Sequence, residues 1–358
     1  MSQWPDRRIL DLLGIELPIL QAPMAGASGT AMAIAVSQAG GLGALPCAML
    51  THQQVREQIA VFRAASPGRA LNLNFFCHQV PASDADALTA WKQVLEPYYR
   101  TLGADFEAPA PVSNRAPFDE HSCQLVEHLR PEVVSFHFGL PQADLLRRVK
   151  ASGARVLSSA TTVEEARWLQ DRGCDAIIAM GYEAGGHRGM FLSEDITTQI
   201  GTLALVPQVV DAVDVPVIAA GGIGDHRGVL AALALGASAV QIGTAYLFCP
   251  EATVSPFHRQ ALDSASASDT ALTNLFTGRP ARGIHNRLMR ELGPMSAQAP
   301  RFPLAGGALM PLRAITEALG SSDFSNLWAG QALRLGRHLS AADLTRDIAD
   351  KALARLNR

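Results

Sequence analysis

The chain has 358 residues, 48% of them hydrophobic and 18% charged, with a formal net charge of −3. That composition describes a globular protein with a large buried core, and it excludes the basic footprint of a nucleic-acid binder. Five scattered cysteines without a C-x-x-C pair exclude a disulfide framework, and they fit reduced thiols of a cytoplasmic protein.

Strand-length apolar runs, each followed by a helical pattern, recur from the N-terminus onward. No apolar segment follows the opening Met-Ser-Gln-Trp-Pro-Asp-Arg-Arg, so no signal peptide is expected. Residues 18–21 lead into a helix at 29–39, and 41–45 into a helix at 51–65 with Thr51 as N-cap. Residues 70–76 lead into helical segments within 83–129, and 132–137 into 142–151. Then 155–158 leads into 162–172, and 175–180 into a helix within 198–213. The last two units run from 216–220 into 225–235, and from 239–242 into a final segment. Residues 229–249 carry no charge, but Gly236, Gln241 and Thr244 interrupt them and the periodicity changes near Ala239. A buried helix–strand pair accounts for that window better than a membrane span.

Eight strand–helix units in about 245 residues are the length of a (β/α)8 TIM barrel. A doubly wound open sheet is the competing α/β architecture. It lacks support because Ala22-Pro-Met-Ala-Gly26, not G-x-G-x-x-G, follows the first strand. Residues 1–250 are therefore assigned to the barrel, and 251–358 to a mostly helical extension that can return as the last barrel helix. An Ala- and Pro-rich stretch at 101–118 reads as an ordered excursion over the barrel mouth.

Barrel active sites lie at the C-terminal strand ends. Those ends hold Gln21 to Met24, Asn74, His137, Ser158 and Ser159, Met180 to Gly189, Gly221 to Gly224, and Gln241 to Thr244. The set is rich in glycine, amide and hydroxyl groups. It contains no lysine for Schiff-base chemistry and no carboxylate or histidine cluster of metal-ligand type, so no metal site is assigned. The loop Gly181-Tyr-Glu-Ala-Gly-Gly-His-Arg-Gly189 is expected to bring backbone close to a ligand, an anion being the natural guest. Ala219-Ala-Gly-Gly-Ile-Gly224 and Gln241-Ile-Gly-Thr244 end the seventh and eighth strands, where barrels bind phosphate on backbone N–H groups. A phosphate without metal, lysine or acid pair points to a cofactor with its own chemistry, and flavin mononucleotide (FMN) fits. Its ring would lie against Ala22, Pro23, Met24 and Asn74, with Asn74 and Gln241 bonding its polar edge.

Six segments in order carry a family resemblance: Gln21-Ala-Pro-Met-Ala-Gly26, Asn72-Leu-Asn-Phe-Phe76, Ser135-Phe-His-Phe-Gly-Leu-Pro141, Glu183-Ala-Gly-Gly-His-Arg-Gly189, Ala220-Gly-Gly-Ile-Gly224 and Gln241-Ile-Gly-Thr244. Together they resemble class I nitronate monooxygenases, and Gly278-Arg-Pro-Ala-Arg-Gly283 and Leu327-Trp-Ala-Gly-Gln331 extend the likeness. The resemblance implies an FMN enzyme, a monomer or homodimer, that oxidises alkyl nitronates such as propionate 3-nitronate with O2 to a carbonyl compound and nitrite. It implies cofactor contacts at Ala22, Pro23, Met24, Asn74, Met180, Gly185, Gly186, Gly221, Gly222, Gln241, Ile242, Gly243 and Thr244. It makes His137 the active-site histidine, bonding the nitro group or acting as base toward a neutral nitroalkane. His187 is expected to support the flavin wall, and Arg188 to stitch its loop or touch phosphate. Met180 stands where the family often has glutamine, and the family's C-terminal tyrosines are missing after Tyr246. Rival readings are an NAD(P)H-dependent FMN reductase (enoyl-thioester or quinone) and a flavin-free phosphate-binding isomerase or epimerase barrel.

Overall fold

The computed structural model describes residues 4–82, 84–111 and 115–358. The first three residues, Ser83 at the start of the predicted helical stretch, and 112–114 of the excursion lie outside the described residues. The strands in chain order are β1 (Ile19–Gln21), β2 (Gly43–Pro46), β3 (Leu71–Phe76), β4 (Val133–His137), β5 (Arg155–Ala160) and β6 (Ala176–Met180). There follow a short β7 (Gly186–His187), then β8 (Val217–Ala220), β9 (Ala239–Ile242), β10 (Thr270–Thr273) and β11 (Ala281–Ile284). Eight of them form one all-parallel sheet in the order β1-β9-β8-β6-β5-β4-β3-β2. A Leu20–Leu42 bridge closes its two edges into a barrel. The seam is short, and Gln21 reinforces it: its fully buried amide accepts from Ala44 N and donates to Ala44 O, at 3.0 and 3.2 Å.

Helix α1 (Arg8–Leu13) precedes the barrel; α2 (Thr30–Gln38) and α3 (His52–Ala65) follow β1 and β2. Thr51 caps α3 in a full capping box with Gln54, the reciprocal arrangement that satisfies two orphan N–H groups. Both α4 (Ala85–Leu102) and α5 (Glu120–Leu129) follow β3, then come α6 (Ala143–Ala151), α7 (Val163–Asp171), α8 (Thr202–Val210) and α9 (His226–Ala234). The uncharged window at 229–249 is α9, β9 and a short 3-10 turn, and among the described residues no helix is long and apolar enough to cross a membrane.

Beyond β9 lie α10 (Pro256–Ser264), α11 (Arg287–Leu292), α12 (Met310–Ala318) and α13 (Ala341–Leu356). The last, α13, packs between α9 and α2, burying Leu344, Ile348, Ala349 and Ala352 completely. It occupies the outer-layer position that would follow β9, and the buried Tyr246 hydroxyl meets Thr345 Oγ1 at 2.6 Å to tie it there. Residues 270–328 do something different. With α4 they make a second hydrophobic core around Trp91, Tyr98, Leu275, Leu288 and Phe324. Trp91 Nε1 and the Tyr99 hydroxyl donate to the carbonyls of Ala305 and Ala308. Strands β10 and β11 pair antiparallel, and β11 pairs in turn with β7 in the glycine loop. The two regions in excess of the barrel therefore pack on each other and roof its C-terminal mouth.

Candidate active site

A cavity of about 480 Å³ opens at the C-terminal strand ends. Twelve of the predicted cofactor residues line it: Ala22, Pro23, Met24, Asn74, Met180, Gly185, Gly186, Gly221, Gly222, Gln241, Gly243 and Thr244. The structure brings His137 to the same cavity. Ile242 is the exception. Its side chain is fully buried in the barrel core, and only its carbonyl works nearby, accepting from Ala22 N at 2.8 Å. Strand alternation explains the miss, because neighbours of an inward-facing Gln241 point the other way.

His137 ends β4, where the ladder Phe136↔Ser158 sets it level with Ser159 on β5. Its Nδ1 lies 2.8 Å from Ser159 Oγ, and its Nε2 lies 3.1 Å from the carbonyl of His187. A carbonyl can only accept, so Nε2 carries the proton and Nδ1 accepts from the serine hydroxyl. Burial pushes the imidazole down to about 3; Arg279 and Arg188 push the same way, while the His187 carbonyl opposes them. His137 is a neutral hydrogen-bonding group at pH 7. The backbone turns sharply after it, with Phe138 in the left-handed region at φ 71°. An aromatic residue there is strained. The strain is held by Arg279 stacked 4.0 Å from the Phe138 ring centroid and by Ser158 Oγ donating to Gly139 O at 2.8 Å.

The glycine loop turns out to approach protein rather than leave room only for a ligand. A Cβ on Gly181 would stand 1.9 Å from Thr202 Oγ1, and one on Gly185 would stand 2.5 Å from Gly330 N. On Gly189 it would meet Ser159 Cβ at 2.9 Å and His137 Cε1 at 3.1 Å. Arg188 is fully buried and stitches this loop: its guanidinium donates to the carbonyls of Met180 and Gly181 at 2.8 and 2.7 Å and to Gln199 Oε1 at 2.8 Å. Gln199 Nε2 continues to Thr161 Oγ1, which donates to the buried Glu165 carboxylate. Glu165 in turn accepts from the Phe191 N–H at 2.6 Å, so the far side of the loop is fixed as well. His187 Nε2 meets Thr277 Oγ1 at 2.9 Å, and burial holds its imidazole well below the usual histidine range.

The strand-end turns at 221–224 and 243–244 form the polar end of the cavity. Gly221 and Gly222 have φ of 111° and 72°, the conformation that gathers successive N–H groups into an anion nest. Among the described residues the backbone N–H groups of Gly222, Ile223 and Thr244 make no hydrogen bond. The N-terminus of α9 is less available than expected, since Asp225 caps it by accepting from Arg227 N. Likewise Glu183 caps α8, accepting from Thr202 N and Oγ1, both at 2.8 Å. Thr244 Oγ1 accepts from Gly330 N at 2.8 Å, which leaves its own proton to donate. Deeper in, Gln241 Oε1 is buried without a partner, while Asn74 donates its amide N–H to Ser135 Oγ at 2.9 Å.

Some lining residues escaped the sequence. Arg115, His258 and Arg313 reach the cavity from the excursion, α10 and α12. Arg115 is pushed down by burial and by Arg313 beside it. No spacing signal marks them. Trp328, also on the wall, belongs to the Leu327-Trp-Ala-Gly-Gln331 segment.

The chain is similar to known proteins over nearly its whole length. The family described as nitronate monooxygenase matches residues 6–351. A nitronate monooxygenase of Pseudomonas aeruginosa is 43% identical over 96% of this chain and 98% of its own. One of Paraburkholderia phytofirmans is 41% identical over 96% and 94%. Among solved structures, a nitroalkane oxidase from Streptomyces ansochromogenes superposes with TM-score 0.88 at 37% identity, covering 98% of this chain and 99% of that one. FabK from Thermotoga maritima gives TM-score 0.74 at 26% identity, covering 99% and 98%.

Proposed function

The chain belongs to the nitronate monooxygenase family, a family of oxidoreductases, and from that premise we propose that it oxidises alkyl nitronates with O2 through bound FMN, releasing a carbonyl compound and nitrite. One observation carries the proposal: Gly222, Ile223 and Thr244 with unbonded N–H groups, Gln241 with a partnerless Oε1, and His137 all line one cavity. An orphaned buried amide oxygen is costly unless a ligand donates to it. FMN matches that demand, with a phosphate for the nest and a ring whose edge offers an N–H. When bound, it supplies the electron acceptor between nitronate and O2.

Each residue then has a task. Gly222, Ile223 and Thr244 would hold the phosphate on backbone N–H groups, with the Thr244 hydroxyl as a further donor. Gln241 and the oxygen of Asn74 would accept from the ring. Ala22, Pro23 and Met24 would supply its apolar floor. His137 presents an N–H that a nitronate oxygen can share with, or take from, the His187 carbonyl. A base role toward a neutral nitroalkane would first require the Ser159 bond to Nδ1 to break. Arg115 and Arg313 line the cavity as well, Arg313 paired with Glu317 at 2.8 Å.

Anaerobic titration of the FMN-loaded protein with propionate 3-nitronate tests this reading. The flavin absorbance should change stoichiometrically, and nitrite should appear once air is admitted. An unchanged spectrum with no nitrite would overturn it.

A further inference from the structure

We propose that Ser159 is a positioning residue of this site: its hydroxyl donates to Nδ1 of His137 and, together with the His187 carbonyl at Nε2, holds the imidazole in place as the N–H donor that meets the nitronate. The inference rests on the reading of His137 given above. Its geometry, however, stands apart from any ligand. Ser159 is 5% exposed, and its side chain shares one rung of the barrel with His137 through the β4–β5 register. The two atoms are 2.8 Å apart, a full-strength O–H···N bond.

The opposite tautomer fails at Nε2, although the Ser159 hydroxyl could accept from an Nδ1–H as readily as it donates. With the proton on Nδ1, the Nε2 lone pair would face the His187 carbonyl oxygen at 3.1 Å, an acceptor against an acceptor. The ring cannot escape by tilting toward the loop, because Gly189 packs on its edge and a Cβ there would stand 3.1 Å from Cε1. Phe76 and Phe138 lie against it from β3 and the following turn, with ring centroids 5.9 and 4.5 Å away. The charged and titratable groups facing His137 are Arg188 and His187 from the glycine loop and Arg279 from the turn before β11. The His187 carbonyl favours a second proton, but Arg279 and Arg188 disfavour it. Ser159 adds to this, because a hydrogen bond to the neutral form disfavours the charged one.

Removing the hydroxyl should therefore change more than packing. In Ser159→Ala, Nδ1 loses its donor and the ring loses one of the two hydrogen bonds that fix its orientation. Nitrogen-15 NMR of histidine-labelled protein reads this directly, with His137→Asn identifying the resonance. The parent should show one Nε2–H tautomer that does not titrate between about pH 5 and 8. Ser159→Ala should keep that tautomer, which the His187 carbonyl fixes, with its Nδ1 signal moved toward that of an imine nitrogen lacking a donor, and Ser159→Cys, a near-isosteric weaker donor, should fall between. In the same variants kcat/KM for the nitronate should fall by roughly three- to tenfold for Ser159→Ala and by less for Ser159→Cys. An Nδ1 signal in Ser159→Ala unshifted from the parent would overturn the inference, whatever the turnover. Shifted nitrogen signals with unchanged nitronate turnover would uphold Ser159 as the holder of His137 and overturn instead the assignment of His137 to the substrate.

Discussion

Replacing Arg188 by Met removes a guanidinium that nothing else in the fold can mimic. Three hydrogen bonds are lost, to Met180 O, Gly181 O and Gln199 Oε1. Bonds to a charged donor contribute about 1.5–3 kcal/mol each, so the gross loss is roughly 5–9 kcal/mol. Against that, burial pushes Arg188 from its ordinary 12.5 down to about 10, a penalty of about 3 kcal/mol that the methionine relieves. A net loss of roughly 2–6 kcal/mol remains, centred near 4, for a loop that carries Gly185 and Gly186 into the cavity. If the loop opens locally, ~4 kcal/mol corresponds to a rise of roughly a thousandfold in its open population. Limited proteolysis within 181–200 should accelerate accordingly, and FMN affinity, read by flavin fluorescence, should weaken at least about tenfold. Arg188→Lys keeps the charge but not the planar fork and should lie between. Proteolysis and flavin affinity both within a factor of about three of the parent would refute the claim that Arg188 holds the loop.

Four further outcomes are expected. His137→Asn should retain FMN but lose roughly ten- to a hundredfold in nitronate turnover; equal turnover would remove His137 from the reaction. Gly181→Ala, whose Cβ would lie 2.5 Å from the backbone N of Thr202 as well as 1.9 Å from its hydroxyl, should cost more than ~3 kcal/mol. Trimming Thr202 to Ala should not rescue it, as urea midpoints would show. Burial holds His78 and His258 down to about 4, His137 to about 3 and His187 well below normal. Because the unfolded chain binds more protons between those values and about 6.5, stability is full above pH ~6.5 and falls as pH drops toward 4, by ~1.4 kcal/mol per unit per histidine. Equal urea midpoints at pH 7.5 and 5 would contradict this. Finally, NADH should not bleach the bound flavin anaerobically while propionate 3-nitronate does; the reverse result would favour the reductase reading.

All eight barrel strands and the N-cap Thr51 were legible in the sequence, because short buried strands and capping residues are set by local pattern. His137 and the glycine turns were placed at strand ends by the same periodicity. The sequence did not disclose what those groups touch. Ser159 and His187 lie 22 and 50 residues from His137, and Trp91 bonds Ala305 across 214. Pairings at such separations depend on barrel register and on how the C-terminal lobe folds back, which no local pattern encodes. For the same reason the loop glycines read as room for a ligand when much of that room is filled by Thr202, Gly330 and His137. Alternation along β9 turns the Ile242 side chain into the core, which a strand-end position alone does not reveal. Local composition determined which residues stand at the barrel mouth; packing across distant segments decided which of them present an unsatisfied group to the cavity.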